Sequence, residues 1–222
     1  MSNTTDLPST SQPPSDRTRV RRVAENARYD RATLHAIIDA AYLCHVAFVD
    51  GKGTHCIPTA CWREGEHLYI HGSNGGRLIR LLQDGTQACV TITHLDGLVL
   101  ARSAFNHSMN YRSAMVYGQF EAVAEKQASL AALMDHIAPG RQSEIRAGSS
   151  KELAATTVMR IALGEAACKV RTGPPVDDTE DMEHPAWAGV LPLVQHRAAP
   201  VVDPLCAIEP PPYVRAWAHA PC

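Results

Sequence analysis

The sequence is poor in aromatic residues and carries no strong charge of either sign. Its 222 residues include three Phe, three Trp and six Tyr, and the formal net charge is −2. A surface that binds nucleic acid usually needs clustered cations and aromatic side chains on which bases stack. Lys and Arg are instead scattered, and the one dense basic run, residues 17–22, is typical of a solvated segment. We therefore expect no nucleic-acid partner.

Long hydrophobic runs and paired cysteines are also missing. No apolar run approaches the roughly 18 residues that suggest a membrane span. Seven cysteines occur without a Cys-x-x-Cys motif and without a signal peptide ahead of them, which favours reduced thiols. A helical His-x-x-x-His pair is absent too, so no metal site is expected. These absences predict a soluble, cytoplasmic protein with no membrane partner.

The composition is that of a chain with a full core and flexible ends. Hydrophobic residues make up 45% of the sequence, which is enough for one domain with appendages. Ser, Thr and Pro dominate the start, and Pro and Ala dominate the end. We predict a largely disordered tail over residues 1–28, one domain over residues 29–175, and an extension over residues 176–222 that packs on that domain or on a dimer interface.

Hydrophobic periodicity predicts a meander of strands with a few helices. A helix should begin after Asp30, which is a suitable N-cap. Short connections favour antiparallel hairpins, Pro58 should mark an edge or a bulge, and Asp96-Gly97 should form a tight hairpin turn. Strands are predicted over residues 42–49, 54–62, 68–71, 88–94, 98–105, 111–123 and 157–170, and helices over residues 128–137 and 150–156.

The segment from His67 to Leu82 has the pattern of a phosphate-binding turn. An alternating strand leads through Gly72 and Ser73 into apolar residues at helical spacing, with Arg77 in the first turn. A helix N-terminus offers unpaired N–H groups, Ser73 or Asn74 can cap it, and glycine permits close approach of an anion. An ordinary capped helix with a solvated Arg fits this stretch equally well.

A second polar segment follows Asn106. It brings His107, Tyr111, Arg112 and Ser113 within a few residues of one another. The planar fork of Arg suits phosphate. Because side chains alternate along a strand, Tyr111 and Ser113 share one face and Arg112 points to the other. The two faces therefore cannot serve one ligand equally.

Several motifs in fixed order resemble those of one family. They are His-Gly-Ser…Gly-Arg at 71–77, Asp-Gly-Leu-Val-Leu-Ala-Arg-Ser-Ala-Phe at 96–105, Asn-Tyr-Arg-Ser…Tyr-Gly at 110–118, Lys-Val-Arg-Thr-Gly-Pro-Pro at 169–175 and Trp-Ala-Gly-Val-Leu-Pro-Leu at 187–193. From about Arg21 to Leu193 the chain resembles the flavin-nucleotide-binding branch of the pyridoxamine 5′-phosphate oxidase-like family. The resemblance implies a mainly β fold, an FMN-binding split barrel built as an antiparallel, Greek-key, six-stranded barrel with flanking helices. It also implies FMN as cofactor and a homodimer that holds flavin between its subunits.

The resemblance also implies a set of site residues. The expected cofactor-binding residues are Pro58, Thr59, His71, Gly72, Ser73, Arg77, Tyr111, Arg112, Ser113, Lys169, Arg171 and Trp187. His71 is the candidate for proton delivery, since imidazole titrates near neutral pH, and His107 is a second candidate. Simpler structural roles stay open: Pro58 as a plain edge residue, Lys169 and Arg171 as cations at the barrel rim, and His71 as a loop cap.

Three functions remain consistent with these residues. The first is a flavin-dependent oxidoreductase acting on a small molecule, with NADH or NADPH as a possible electron donor. The second is a flavin-binding carrier or sensor without turnover. The third is a split-barrel protein that binds haem, with His71 or His107 as axial ligand.

Overall fold

The computed structural model describes residues 12–218, and β-structure dominates them. The strands are β1 (Ala27–Arg28), β2 (Leu43–Asp50), β3 (Gly53–Glu64), β4 (His67–Ser73), β5 (Ala88–Leu100), β6 (Ser108–Gly118), β7 (Glu121–Ala122), β8 (Thr156–Ala162), β9 (Ala166–Arg171) and β10 (Gly189–Pro192). The α-helices are α1 (Arg31–Asp39), α2 (Arg77–Gln83), α3 (Lys126–Ile137), α4 (Ser150–Ala155) and α5 (Pro212–Trp217). Short 3₁₀ helices lie at Ala24–Asn26, Ala104–Asn106, Arg141–Ser143 and Thr179–Asp181.

The chain forms two compact units. The first contains the described residues up to His94 together with Arg112–Val170, and the second contains Leu95–Tyr111 together with the described residues from Arg171 onward. In the second unit β10 pairs antiparallel with the end of β5, with Gly189 opposite Leu100 and Pro192 opposite Gly97. Among residues 12–218, no helix is both long enough and apolar enough to cross a membrane.

The first unit is built on an antiparallel sheet. Its strand order is β1-β9-β6-β5-β2-β3-β4-β8-β7. Within the described residues the two ends of this order do not pair, so the sheet is open, as in a split barrel. The predicted mainly β split barrel with flanking helices is confirmed. The described sheet has ten strands rather than six, because β10 joins the nine strands of this order by pairing with β5.

The core of the first unit lies between α1 and the sheet. Leu34, Ile37 and Ile38 are buried on one face of α1, where they join Val46 and Ile70 in one apolar cluster. Spacing of three and four residues gives such a helix a single apolar stripe. The helix begins as predicted, because the Asp30 side chain accepts a hydrogen bond from the Thr33 N–H at 2.8 Å.

One predicted break between strands is wrong. The predicted hairpin at Asp96-Gly97 does not form, because β5 continues through it to Leu100. Pairing with β10 keeps this end extended. A Cβ at Gly97 would lie 3.1 Å from the carbonyl oxygen of Leu191, so glycine serves close strand contact there and not a turn.

The ends of other strands also differ from prediction. The single strand predicted over residues 157–170 is two strands, β8 and β9, and Leu163 between them donates its N–H to the carbonyl of Glu66 at 3.0 Å. Residues 104–106 are a 3₁₀ helix rather than the end of a strand. Ser108–Asn110, predicted as loop, already belong to β6.

Pro58 lies in a part of β3 that pairs with β2 and not with β4. It lies opposite His45 in an unbroken ladder with β2, so no bulge occurs there. Pairing of β3 with β4 covers only Cys61–Glu64. Within the described strands, Pro58 thus faces no β4 residue on its second side, in line with the predicted edge position.

The predicted N-terminal tail falls partly outside the described residues. Residues 1–11 are among those not described. Over residues 24–28 the chain forms a 3₁₀ helix and the short strand β1, which pairs with β9. Thr18 is buried, with 2% of its surface exposed.

Candidate functional site

The turn between β4 and α2 is held by Asn74. Its side-chain N–H donates to the carbonyl of Ala154 at 2.7 Å, and its Oδ1 accepts from the Thr157 hydroxyl at 2.8 Å. The prediction that Ser73 or Asn74 caps α2 is wrong, because the N-cap is Gly76 and no side chain caps it. Asn74 instead ties the turn to the junction of α4 and β8.

Close packing fixes the start of this turn. A Cβ at Gly72 would lie 2.8 Å from Cγ1 of Ile79, which is buried. Gly75, three residues later, has no atom within 4 Å of the corresponding position. Gly72 thus lets α2 pack directly on the end of β4, whereas Gly75 faces open space.

The Arg77 side chain contacts polar side chains of the β2–β3 hairpin. Its Nη2 forms an ion pair with Oδ2 of Asp50 and lies 2.6 Å from Nε2 of His55. Oδ1 of Asp50 lies 2.9 Å from the same imidazole nitrogen and accepts the Lys52 N–H at 2.8 Å. The Arg77 hydrogen bond, followed by that of Lys52, holds the pKa of Asp50 well below its ordinary value. The sequence did not predict this cluster, since its members lie on three separate elements.

His71 lines a largely apolar cavity of about 450 Å³ in the first unit. The other lining residues come from α3, the α3–α4 connection, α4 and the start of β8; among them are Leu130, Met134, Ile145 and Leu153. The His71 ring lies 6.1 Å from the Trp62 ring, centroid to centroid. Within residues 12–218 its buried Nδ1 has no hydrogen-bond partner. Burial lowers the pKa of His71 and so favours the neutral imidazole.

Ser113 and Lys169 lie on neighbouring strands of the first unit. The Ser113 hydroxyl donates to the carbonyl of Lys169 at 3.3 Å, and the Lys169 ammonium donates to the carbonyl of Arg22 at 3.0 Å. Arg112 and Ser113 are half-buried on β6, and Thr59 is half-buried on β3. The structure thus brings Ser113 and Lys169 together, while His71 and Arg77 lie in separate clusters.

The predicted site residues of the second unit that have hydrogen bonds or packing contacts make them within that unit. Arg171 donates to the side-chain oxygen of Asn110 and to the carbonyl of Pro174. Tyr111 is half-buried on β6. Trp187 is 70% exposed and packs over Gly189, where a Cβ would lie 2.7 Å from the indole ring. His107 is exposed, and its Nδ1 lies 2.9 Å from the carbonyl oxygen of Ser103.

Sequence and structure comparisons identify the family. A family model described as pyridoxamine 5′-phosphate oxidase matches residues 30–170. The chain therefore belongs to the pyridoxamine 5′-phosphate oxidase family, as its motifs predicted.

Two solved structures are similar over nearly the whole chain. The flavocytochrome Anf3 from Azotobacter vinelandii is 40% identical, with a TM-score of 0.88, covering 94% of this chain and 100% of that one. The FAD and heme binding protein from Mycobacterium smegmatis is 38% identical, with a TM-score of 0.84, covering 87% of this chain and 98% of that one. Among curated proteins there is no match.

Proposed function

We propose that the protein is a redox protein that binds both a flavin nucleotide and haem. The observation that carries this proposal is the apolar cavity lined by His71, whose buried Nδ1 has no hydrogen-bond partner within residues 12–218. The two similar structures support it, since one is a flavocytochrome and the other binds FAD and heme. When bound, a flavin supplies hydride and electron transfer, and a haem supplies one-electron chemistry.

The residues around His71 fit a haem. Iron binds the neutral form of imidazole, and burial favours that form in His71. The cavity volume of about 450 Å³ is in the usual range of ~300–1,000 Å³ for cofactor sites, and apolar lining is typical of them. Of the two histidines predicted as axial ligands, the contacts favour His71, because His107 is exposed and already bonded to Ser103.

For the flavin we propose the residues expected from the sequence. Lys169 and Ser113 on neighbouring strands suit a phosphate, because an ammonium has three donors and Lys169 donates to the Arg22 carbonyl alone within residues 12–218. Arg77 remains a candidate as well, since in the described part of the chain its contacts use Nη2 and a guanidinium has five donors. The other residues that we propose for the flavin site are those expected from the family motifs: Pro58, Thr59, Gly72, Ser73, Tyr111, Arg112, Arg171 and Trp187.

Which flavin nucleotide the protein binds, FMN or FAD, is part of the proposal. The sequence motifs favour FMN, whereas the Mycobacterium smegmatis structure binds FAD. We also propose that NADH or NADPH donates electrons and that the protein is a cytoplasmic homodimer. The described cysteines are free, which supports a reducing compartment.

The visible spectrum of the purified protein tests the cofactors. We expect flavin and haem bands together, and chromatography of the heat-released flavin then distinguishes FMN from FAD. His71→Ala should abolish the haem bands and leave the flavin bands, while His107→Ala should retain both. A wild-type protein that takes up neither added flavin nor added haem would contradict the proposal.

A further inference from the structure

The cavity that contains His71 holds a second side chain able to bind haem iron. Met134 on α3 lines it, and it is half-buried. Thioether sulfur and imidazole form one of the recurrent axial pairs of haem proteins, and thioether ligation raises the reduction potential. None of the remaining lining side chains, which are aliphatic, amide, hydroxyl or guanidinium groups apart from glycine, is among the common haem ligands.

The helix presents Met134 as part of a continuous face. Gln127, Leu130, Ala131 and Met134 all line the cavity, and their spacing of three, four and seven residues places them on one side of α3. This helix packs against β3 and β8 of the sheet that contains β4. The two possible ligands therefore come from two different elements, β4 and α3, that line one cavity. Met also has an unbranched, flexible side chain that adapts its position to a ligand.

Four other imidazoles of the first unit contact groups outside this cavity. Nε2 of His35 lies 3.1 Å from Oε1 of Glu66 without a hydrogen bond, and His55 pairs with Asp50. Nε2 of His94 lies 2.9 Å from the carbonyl oxygen of Ile37, and Nε2 of His136 lies 2.8 Å from that of Ala41. Within the described part of the chain, His71 is the one histidine that lines this cavity.

We infer that Met134 is the second axial ligand of the haem held by His71, an inference that rests on the proposed haem-binding function. The pair would give the iron a low-spin, six-coordinate state with a raised reduction potential. It would thus make this site an acceptor of electrons rather than a site for binding oxygen, because both axial positions are filled by the protein.

Spectroscopy and potentiometry of the haem-loaded full-length protein test the inference. Wild-type protein should give a low-spin spectrum with the charge-transfer band typical of thioether bound to ferric haem. Met134→Leu should retain haem through His71, lose that band, become high-spin, and show a lower reduction potential. The control is Met115→Leu, since Met115 lies on β6 outside the cavity; it should match the wild type. Met134→His should restore the low-spin state without the thioether band. That result would show that the high-spin state of Met134→Leu reflects the lost ligand and not misfolding.

Two kinds of result would contradict the inference, and they are distinguishable. A wild-type haem that is already high-spin, or a low-spin spectrum unchanged in Met134→Leu, would remove Met134 as ligand and leave the proposed haem binding intact. Failure of the wild type to bind added haem would overturn both the haem part of the proposed function and this inference.

Discussion

Among single residues, Asp50 has the contacts that most clearly define a pH response. Its carboxylate accepts hydrogen bonds from Arg77 and from the Lys52 N–H, which together hold its pKa well below the ordinary value. A carboxyl group with a lowered pKa in the folded state stabilises the fold at pH values above its unfolded pKa of about 3.9. That stabilisation is lost as the pH falls below about 4 toward the folded pKa.

We therefore predict that Asp50→Asn destabilises the protein at pH 7 and that this difference shrinks on acidification. Urea unfolding of both proteins between about pH 7 and pH 3 measures it, because the wild type loses this contribution where the unfolded carboxyl group protonates. Asp135→Asn, at an exposed position on α3, is the matched control. A difference between wild type and Asp50→Asn that stays constant over this range would show that the Arg77 contact does not stabilise the charged form.

Individual site residues differ in how well the sequence predicts their contacts. Ser113 and Lys169 are both expected site residues from the family motifs, but their contact depends on the neighbouring positions of β6 and β9 in the sheet, which the motifs do not indicate. The contact of Arg77 with Asp50 joins positions 27 residues apart, and nothing in either local pattern indicates it. Met134 likewise lies in an ordinary helix, and only the fold places it in the same cavity as His71.

At the scale of elements, local signals predict the starts of α1 and α4 correctly and the cap of α2 wrongly, and they predict continuations of strands poorly. Asp30 caps α1, and Ser149 forms a capping box with Glu152 at the start of α4, because these bonds join residues three apart. The continuation of β5 through Gly97 depends instead on β10, about 90 residues further along the chain. A dipeptide typical of turns cannot indicate such a partner.

The turn from β4 to α2 offers a test of packing. We predict that Gly72→Ala lowers the free energy of unfolding by about 1–3 kcal/mol, the usual range for overpacking in a core, because the new methyl group would meet buried Ile79 at 2.8 Å. Gly75→Ala adds the same methyl group where no atom lies within 4 Å. Chemical denaturation of both variants makes the comparison.

The paired variants make the outcome specific. Gly75→Ala should stay within about 0.5 kcal/mol of wild type, as surface substitutions usually do. Equal effects of the two substitutions would mean that backbone flexibility, and not contact with Ile79, decides the role of Gly72. An unchanged Gly72→Ala protein would mean that Ile79 moves without cost.

At the scale of the whole molecule, exposed apolar side chains suggest self-association. Most of the large exposed ones belong to the second unit; Phe105, Val201 and Leu205 are each at least 95% exposed. Apolar side chains that form one exposed patch usually mark an interaction surface, and we propose that these side chains do so. We predict that the 24.1-kDa chain sediments as a dimer, which analytical ultracentrifugation measures.

Charged substitutions at the exposed apolar side chains of the second unit should have two linked effects. They should separate the subunits, and they should lower the amount of bound flavin. Phe105→Asp combined with Leu205→Asp should shift the protein toward monomer, because burying two carboxylates in an apolar interface is costly. Leu43→Asp, at an exposed position on β2 of the first unit, is the control and should remain dimeric. If flavin lies between subunits, as the family resemblance implies, the monomeric variant should also elute from gel filtration with less flavin per chain than the control. A monomer that retains its full flavin content would place the flavin within one chain, whereas a variant that stays dimeric would exclude these two side chains from the interface.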